Sequence, residues 1–129
     1  MSVVVDSSVV LHVLMGFGGR DLLQILVSGE AVAPHLLDLE IMHSIRKLAR
    51  RTRAADADLR ELVATYASFS IQRHGHRWLL NRIWELRQNI TAYDASYVAL
   101  AEHLNAPLLT RDRRLANSSN HTARIQFIA

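Results

Sequence analysis

Five short, mainly apolar segments constrain the fold of this chain more than any other feature. They lie at 3–5, 31–34, 69–71, 107–110 and 125–128, and segments of helical character separate them. Short apolar strands that alternate with helices are typical of an α/β domain built around a mainly parallel sheet. The sequence therefore predicts about five strands in such a sheet.

The segments between these strands have the periodicity of amphipathic helices. In the longest, the apolar residues Leu37, Ile41, Ile45 and Leu48 recur at i, i+4, i+8 and i+11, which places them on one helical face. We predict helices at 9–14, 22–27, 36–51, from 56 or 58 onward, 79–89 and 93–104.

Size and composition exclude several classes of protein. With 129 residues, the chain has the length of a single domain, predicted here to span 1–129. The absence of cysteine excludes disulfides and thiolate metal sites. No apolar run approaches the length of a membrane span and the first residues do not resemble a signal peptide, so we expect a cytoplasmic protein without membrane contact. The net charge of +3 is too mild to imply nucleic acid by itself.

Four acidic residues lie where a simple core would not place them. Asp6 follows the first predicted strand and Asp112 follows the fourth, so both belong at the carboxyl edge of the sheet. Glu40 lies beside the apolar face of its helix. Asp94 continues the inward face of the helix that ends at Leu104. We expect these four residues, the acidic quartet, to converge.

Convergence of the quartet would require a compensating charge. Two carboxylates ~5 Å apart repel by about 3 kcal/mol at an effective dielectric constant of ~20. A fold tolerates several such pairs only if cations lie between them or protons are taken up. Oxygen ligands without sulfur or histidine favour Mg²⁺ or Mn²⁺, so the predicted cofactor is one of these ions.

Each carboxylate also has an ordinary structural interpretation. Asp6 is suited to cap a helix or form an Asx turn. Asp94 fits a capping box that begins at Thr91. Glu40 is compatible with a solvated helix position, and Asp112 with a turn in which it pairs with arginine.

Four segments carry a resemblance to a known family. They are 3–8 (VVVDSS), 34–40 (PHLLDLE), 91–95 (TAYDA) and 108–115 (LLTRDRRL). In order and spacing they resemble the PIN-domain ribonucleases, most closely the VapC toxins of bacterial toxin–antitoxin pairs. The likeness covers nearly the whole chain. It implies a three-layer α/β/α sandwich and a metal-dependent endoribonuclease that hydrolyses RNA phosphodiesters with metal-activated water.

The resemblance also implies roles for individual residues. Asp6, Glu40, Asp94 and Asp112 would be both catalytic and metal-binding. Asp38 lies two residues before Glu40 on the same helix, so helix geometry predicts that it points elsewhere. Ser7, Ser8 and Thr110 would support the carboxylates or a bound water. The residues expected to contact RNA phosphates are Arg46, Lys47, Arg50, Arg111, Arg113 and Arg114. The expected partners are an RNA substrate, a small cognate antitoxin protein and a second copy of the chain in a homodimer.

Two alternative functions remain open from the sequence. A PIN-like module that binds nucleic acid or protein without cleavage would share most of the pattern, although the intact quartet argues against it. A response-regulator-like domain would have paired acids after the first strand and a lysine near the last. Here Asp6 stands alone and the only lysine, Lys47, lies within a helix.

Trp78 and Trp84 are interpreted as packing or interface residues, and His74-Gly75-His76 as a surface loop.

Overall fold

A computed structural model describes residues 1–129 as a five-stranded parallel sheet flanked by helices. The strands are β1 (Val3–Val5), β2 (Ala31–Pro34), β3 (Gln72–His74), β4 (Leu108–Thr110) and β5 (Ile125–Phe127). The helices are α1 (Ser7–Leu14), α2 (Gly19–Ser28), α3 (Leu36–Arg51), α4 (Asp56–Ser68), α5 (Leu80–Glu85), α6 (Ala92–Leu104) and α7 (Arg113–Ala116). A 3₁₀ turn at Arg77–Leu79 leads into α5. The predicted α/β/α sandwich is confirmed.

The strand order is β3-β2-β1-β4-β5, and every neighbouring pair is parallel. This order differs from the 2-1-3-4-5 order of flavodoxin-like folds, to which response regulators belong. The chain progresses from β1 to one side of the sheet and then returns to place β4 on the other side of β1. The switch point therefore lies between β1 and β4, where crevices form outside the carboxyl ends of the strands.

Helix α6 forms the centre of the core. Its residues 95–101 are all buried, and the helix packs against β1, β2, β4 and α5. Alanine at three of these positions allows the close approach of neighbouring elements. The helix begins at Thr91, whose hydroxyl oxygen accepts a 3.1 Å hydrogen bond from the Asp94 backbone N–H. It ends at Asn105, which adopts a left-handed conformation (φ 50°).

The predicted strand at 69–71 is wrong by three residues. Strand β3 starts at Gln72, which pairs with Val32. Phe69 and Ile71 are both buried in the core, so the apolar segment packs just before the strand instead of forming it. The apolar pattern identified buried residues but not the point at which backbone pairing begins.

Other differences concern short elements. The helix predicted at 79–89 ends at Glu85 and continues only as turns to residue 89. The four-residue helix α7 was not predicted, because one helical turn is too short to display periodicity. Residue His74 ends β3, so only Gly75 and His76 of the predicted surface loop are irregular.

No single helix is long and apolar enough to cross a membrane, and only α1 and α2 taken together, bent by 113° at their junction, have the required length and composition.

Candidate active site

The centre of the candidate site is Asp6, immediately after β1. Its side chain is 6% exposed and, although the residue occupies the N-cap position of α1, it makes no capping hydrogen bond. Oδ2 instead accepts hydrogen bonds from the hydroxyls of Thr110 (2.6 Å) and Ser8 (3.1 Å), and Oδ1 accepts one from Ser7 (3.2 Å). Three hydroxyls therefore hold a nearly buried carboxylate at the switch point, and the capping interpretation of its side chain is wrong.

Thr110 connects Asp6 to the neighbouring strand. It is the last residue of β4 and is completely buried. Besides donating to Asp6, its Oγ1 accepts a 3.0 Å hydrogen bond from the backbone N–H of Asp112 and lies 3.4 Å from the hydroxyl of Ser8. The backbone N–H of Arg111 donates to Ser8 at 2.9 Å. This network fixes the β1 and β4 edges relative to each other.

Asp112, a member of the quartet, also has a structural role. Its Oδ1 accepts hydrogen bonds from the backbone N–H groups of Arg114 (2.9 Å) and Leu115 (3.4 Å), and so caps α7. The turn interpretation of this residue is therefore correct in part. Asp112 also acts electrostatically on Asp94, raising its pKa.

Glu40 reaches the site from α3, where it lies one turn into the helix. Its Oε1 accepts a 2.6 Å hydrogen bond from the hydroxyl of Tyr97 on α6. Burial raises the pKa of Glu40 above its ordinary value, and repulsion from Asp6 and Asp94 raises it further. The hydrogen bond from Tyr97 opposes this rise.

Asp94 lies in the first turn of α6. Its pKa is raised mainly by burial, then by the charges of Asp6 and Asp112, while the guanidinium of Arg114 opposes the rise. These mutual effects place all four carboxylates in one electrostatic environment. In their present positions, however, no three acidic or histidine side chains form a group that could hold a metal ion.

The neighbouring acid, Asp38, points elsewhere, as expected from its position two residues before Glu40. Its Oδ1 accepts hydrogen bonds from the hydroxyl of Tyr66 (2.5 Å) and from Arg73 (2.8 Å). The hydrogen bonds from Tyr66 and Arg73 hold the pKa of Asp38 below its usual range, although burial acts in the opposite direction. This network joins α3, α4 and β3 and is separate from the quartet.

The six predicted RNA-contacting residues are not equally close to the quartet. Arg46, Lys47 and Arg50 are exposed along the later turns of α3, about 9 to 15 Å beyond Glu40 at 1.5 Å per residue. Arg113 instead stacks on the ring of Phe127, 4.3 Å from its centroid. The remaining two, Arg111 and Arg114, lie nearer to the quartet.

Arg111 and Arg114 are these nearer residues. Arg111 directly follows Thr110 and is exposed. Arg114 lines a cavity together with Asp94 and acts on its pKa.

Two features of the site escaped sequence reasoning. Tyr97 was assigned only to the apolar face of its helix, because nothing local shows that its hydroxyl meets Glu40 from 57 residues away. Arg87 was not considered, although it lines the same cavity as Asp94. The two tryptophans, expected to be packing or interface residues, are 50% exposed (Trp78) and 66% exposed (Trp84), so neither belongs to the core.

Comparison with known proteins now identifies the family. The PIN domain family matches residues 3–119, which is most of the chain and includes all four quartet positions. The chain belongs to the PIN domain family. The resemblance seen in the four sequence segments is confirmed.

Curated relatives of this PIN domain are VapC ribonucleases. Ribonuclease VapC9 of Mycobacterium tuberculosis is 42% identical over 116 residues, which are 90% of each chain. Ribonuclease VapC1 of the same organism is 36% identical over 131 aligned positions, covering 97% of this chain and 96% of the relative. The chain is therefore similar to these proteins along almost its whole length.

Solved structures share the fold of this PIN domain. A crystal structure of a protein from Pyrobaculum aerophilum superposes with a TM-score of 0.63 at 25% identity, covering 90% of this chain and 86% of that one. A toxin–antitoxin complex from Klebsiella pneumoniae contains a chain with the same TM-score at 16% identity, covering 90% of this chain and 91% of that one. At that identity the second likeness supports the fold alone.

Proposed function

We propose that this PIN domain is a metal-dependent endoribonuclease that acts as the toxin of a toxin–antitoxin pair. The observation that carries the proposal is the acidic quartet at the switch point of the sheet, in which the pKa of Glu40 and that of Asp94 are raised in part by the neighbouring carboxylates. Relatives named as VapC ribonucleases support RNA as the substrate.

The chemistry of the quartet fits Mg²⁺ or Mn²⁺. Its donors are carboxylate oxygens alone, and a cation among them would offset the repulsion between Asp6, Glu40 and Asp94. The side chains do not form a closed ligand group as they stand, so binding of an ion would require them to rearrange. When bound, such an ion supplies a Lewis acid that activates water and neutralises charge on a phosphate.

The chain's own residues orient the reacting groups. Thr110, Ser7 and Ser8 fix the carboxylate of Asp6 through three hydrogen bonds, so that this side chain loses little freedom when the site is occupied. Tyr97 fixes one oxygen of Glu40 through its hydroxyl. The half-buried Asp94 completes the anionic wall of the site.

Basic side chains on both sides of the site would hold the RNA backbone. Arg111 and Arg114 flank Asp112, and Arg46, Lys47 and Arg50 extend the positive surface along α3. Arg113, which stacks on Phe127, would contact RNA at a greater distance from the quartet. Such contacts supply affinity and position without reading sequence.

A purified sample incubated with total cellular RNA tests the proposal. We expect discrete cuts with Mg²⁺ or Mn²⁺, none with chelator, and ends bearing a 5′-phosphate and a 3′-hydroxyl, because water rather than the ribose 2′-hydroxyl is the nucleophile. Products with 2′,3′-cyclic phosphates, or cuts that persist in chelator, would contradict it. RNA binding without any cleavage would favour the second candidate, a binding module.

The surface beside Glu40 supports a protein partner. A cavity of about 510 Å³ there is lined in part by Leu36, Leu39 and Tyr93, and Leu39 and Tyr93 are 70% and 63% exposed. Exposed apolar side chains next to a charged site suit a small antitoxin that covers it. Co-expression with the antitoxin encoded beside the gene should abolish cleavage; cleavage that continues unchanged would contradict a toxin role.

We further propose that the chain forms a homodimer and acts in the cytoplasm with its RNA substrate. Several large apolar side chains are more than 40% exposed, including Phe17, Leu23 and Leu80. Covering them would stabilise an assembly of two copies. Sedimentation equilibrium should give about twice the monomer mass of 14.6 kDa, and a monomer at micromolar concentration would contradict the dimer.

A further inference from the structure

A polar cavity of about 300 Å³ opens next to Asp94, between the α5–α6 connection and α7. This volume lies at the small end of the range for ligand sites. Six of the residues that line it are polar or charged: Arg87, Gln88, Asn89, Thr91, Asp94 and Arg114. We refer to it as the arginine cavity.

Charge changes sign across the arginine cavity. Asp94, at one side, is its only carboxylate, whereas Arg87 and Arg114 supply two guanidinium groups. Neither arginine forms a salt bridge, although four other ion pairs exist in the protein. Both groups therefore keep donors that suit an anion, and guanidinium binds phosphate oxygens in a bidentate manner.

Trp84 holds Arg87 at the cavity. The guanidinium carbon of Arg87 lies 4.2 Å from the centroid of the Trp84 ring, and its Nη1 donates a 2.9 Å hydrogen bond to the Trp84 carbonyl oxygen. Stacking and this hydrogen bond reduce the conformational freedom of a long exposed side chain. The ring itself is 66% exposed, so its packing contributes little to the core.

We infer that the arginine cavity holds the RNA phosphate next to the one that is cleaved, with Arg87 and Arg114 as the phosphate-binding residues. This inference rests on the proposed ribonuclease function. A single strand whose scissile phosphate lies at the quartet would place a neighbouring phosphate beyond Asp94, where the charge becomes positive. The side-chain amides of Gln88 and Asn89 are available for the adjoining ribose or base edge. Trp84 is a positioning residue that acts through Arg87.

Binding of a fluorescein-labelled, unstructured RNA in chelator tests the cavity independently of cleavage. We expect Arg87→Ala to weaken binding about fivefold to tenfold at low salt. The slope of log affinity against log salt should fall by about 0.7, the value for one phosphate contact on a single strand. Arg20→Ala is the matched control, because Arg20 is exposed on α2 and lines no part of this cavity.

The possible outcomes distinguish a failure of the proposed phosphate site from a failure of the proposed ribonuclease function. Equal effects of Arg87→Ala and Arg20→Ala, or no measurable RNA affinity in the unaltered protein at low salt, would overturn the inference even if the protein cleaves RNA. If Arg87→Ala lowers the RNA affinity and its salt slope while Arg20→Ala does not, the inference is supported even if no cleavage is found. In that case the proposed ribonuclease function would be contradicted and the phosphate site would not.

A double-mutant cycle tests the positioning role of Trp84. Trp84→Ala should weaken RNA binding about twofold to fivefold, which is part of the loss expected for Arg87→Ala. Trp84→Phe keeps a ring under the guanidinium and should retain most of the affinity. In the Arg87→Ala background, Trp84→Ala should have no further effect on RNA binding. Additive losses in the double variant would show that Trp84 does not act through Arg87.

Discussion

The hydroxyl of Tyr97 donates a 2.6 Å hydrogen bond to Oε1 of Glu40, and so joins α6 to α3 at the edge of the acidic quartet. Tyr97 is completely buried, and the burial that raises its own pKa keeps the hydroxyl protonated as a permanent donor. This bond stabilises the ionised form of a carboxylate that burial and two neighbouring acids destabilise.

Tyr97→Phe is therefore expected to raise the pKa of Glu40 further. The free energy of unfolding should fall by about 1–2 kcal/mol near pH 8, where the half-buried carboxylate loses its donor. The acid limb of the cleavage rate should move to higher pH, since Glu40 must lose its proton to act. Tyr93→Phe is the control, because Tyr93 is 63% exposed. An unchanged acid limb would show that Glu40 does not govern the rate.

Thr110→Val should damage both stability and activity. Valine has the shape of threonine but removes the hydroxyl that donates to Asp6 and accepts from the backbone of Asp112. We expect a loss of about 1–3 kcal/mol in denaturant unfolding and at least a tenfold lower cleavage rate. Thr110→Ser keeps the hydroxyl and should retain most of the activity. Equal rates for the valine and serine variants would argue against the network.

The quartet should affect the free energy of unfolding in two ways. Raising the pH should lower this free energy, and adding a divalent ion should raise it. For Glu40 and Asp94, whose pKa values are raised, the stabilising contribution is complete below their ordinary values of 4.5 and 3.8 and is lost as pH rises through the folded values. In chelator, the free energy of unfolding should therefore fall as pH rises above these ordinary values.

Mg²⁺ should restore stability at pH 8, by about 2.7 kcal/mol at a hundred times its dissociation constant. Asp94→Asn should reduce both the pH dependence and the response to Mg²⁺, and Asp21→Asn, an exposed change on α2, should alter neither. Thermal unfolding of the three proteins with and without Mg²⁺ measures this. Equal Mg²⁺ responses in all three would contradict ion binding at the quartet.

Glu102 anchors the end of the chain to α6, away from the candidate site. It accepts hydrogen bonds from Arg82 at 2.8 and 2.9 Å and from the backbone N–H of Thr122 at 2.8 Å. These partners, Arg82 foremost, lower the pKa of Glu102 from 4.5 to about 2, so its contribution to stability is present above pH 4.5 and is lost as pH falls toward 2.

Glu102→Ala should cost about 2 kcal/mol at pH 7 and much less at pH 2.5. Glu85→Ala is the control, because Glu85 contacts the same Arg82 at 3.5 Å with a 63% exposed side chain and should change stability by less than about 0.5 kcal/mol. Chemical unfolding at the two pH values compares them. A similar cost for both variants would show that the partly buried pair of Arg82 and Glu102 contributes no more than the exposed contact of Glu85.

The sequence contained enough information to place most of the fold and the quartet positions. An acid directly after a buried strand lies at the carboxyl edge of a parallel sheet, which places Asp6 and Asp112 without any tertiary information. Helix geometry then separates Glu40 from Asp38, since residues two positions apart point in different directions. The resemblance to PIN domains then predicted that these local placements form one site.

Features that depend on tertiary contacts were beyond sequence reasoning. The bond between Tyr97 and Glu40 exists only because α3 and α6 meet. Arg87 lines a cavity with Asp94 and Arg114 only because the α5–α6 connection approaches α7. The start of β3 at Gln72 was also missed, because burial of Phe69 and Ile71 resembles that of a strand without backbone pairing. Local pattern identifies which residues are buried but not their partners.

The initial rate of cleavage of a single RNA oligonucleotide at saturating Mg²⁺ tests the central claim most directly. Asp6 is held by three hydroxyls at the centre of the quartet, and Asp6→Asn preserves its shape while removing its charge. We predict a rate about a thousandfold lower than that of the unaltered protein, and an unchanged rate for Asp21→Asn. A rate for Asp6→Asn within threefold of the unaltered protein would contradict the assignment of RNA cleavage to the acidic quartet.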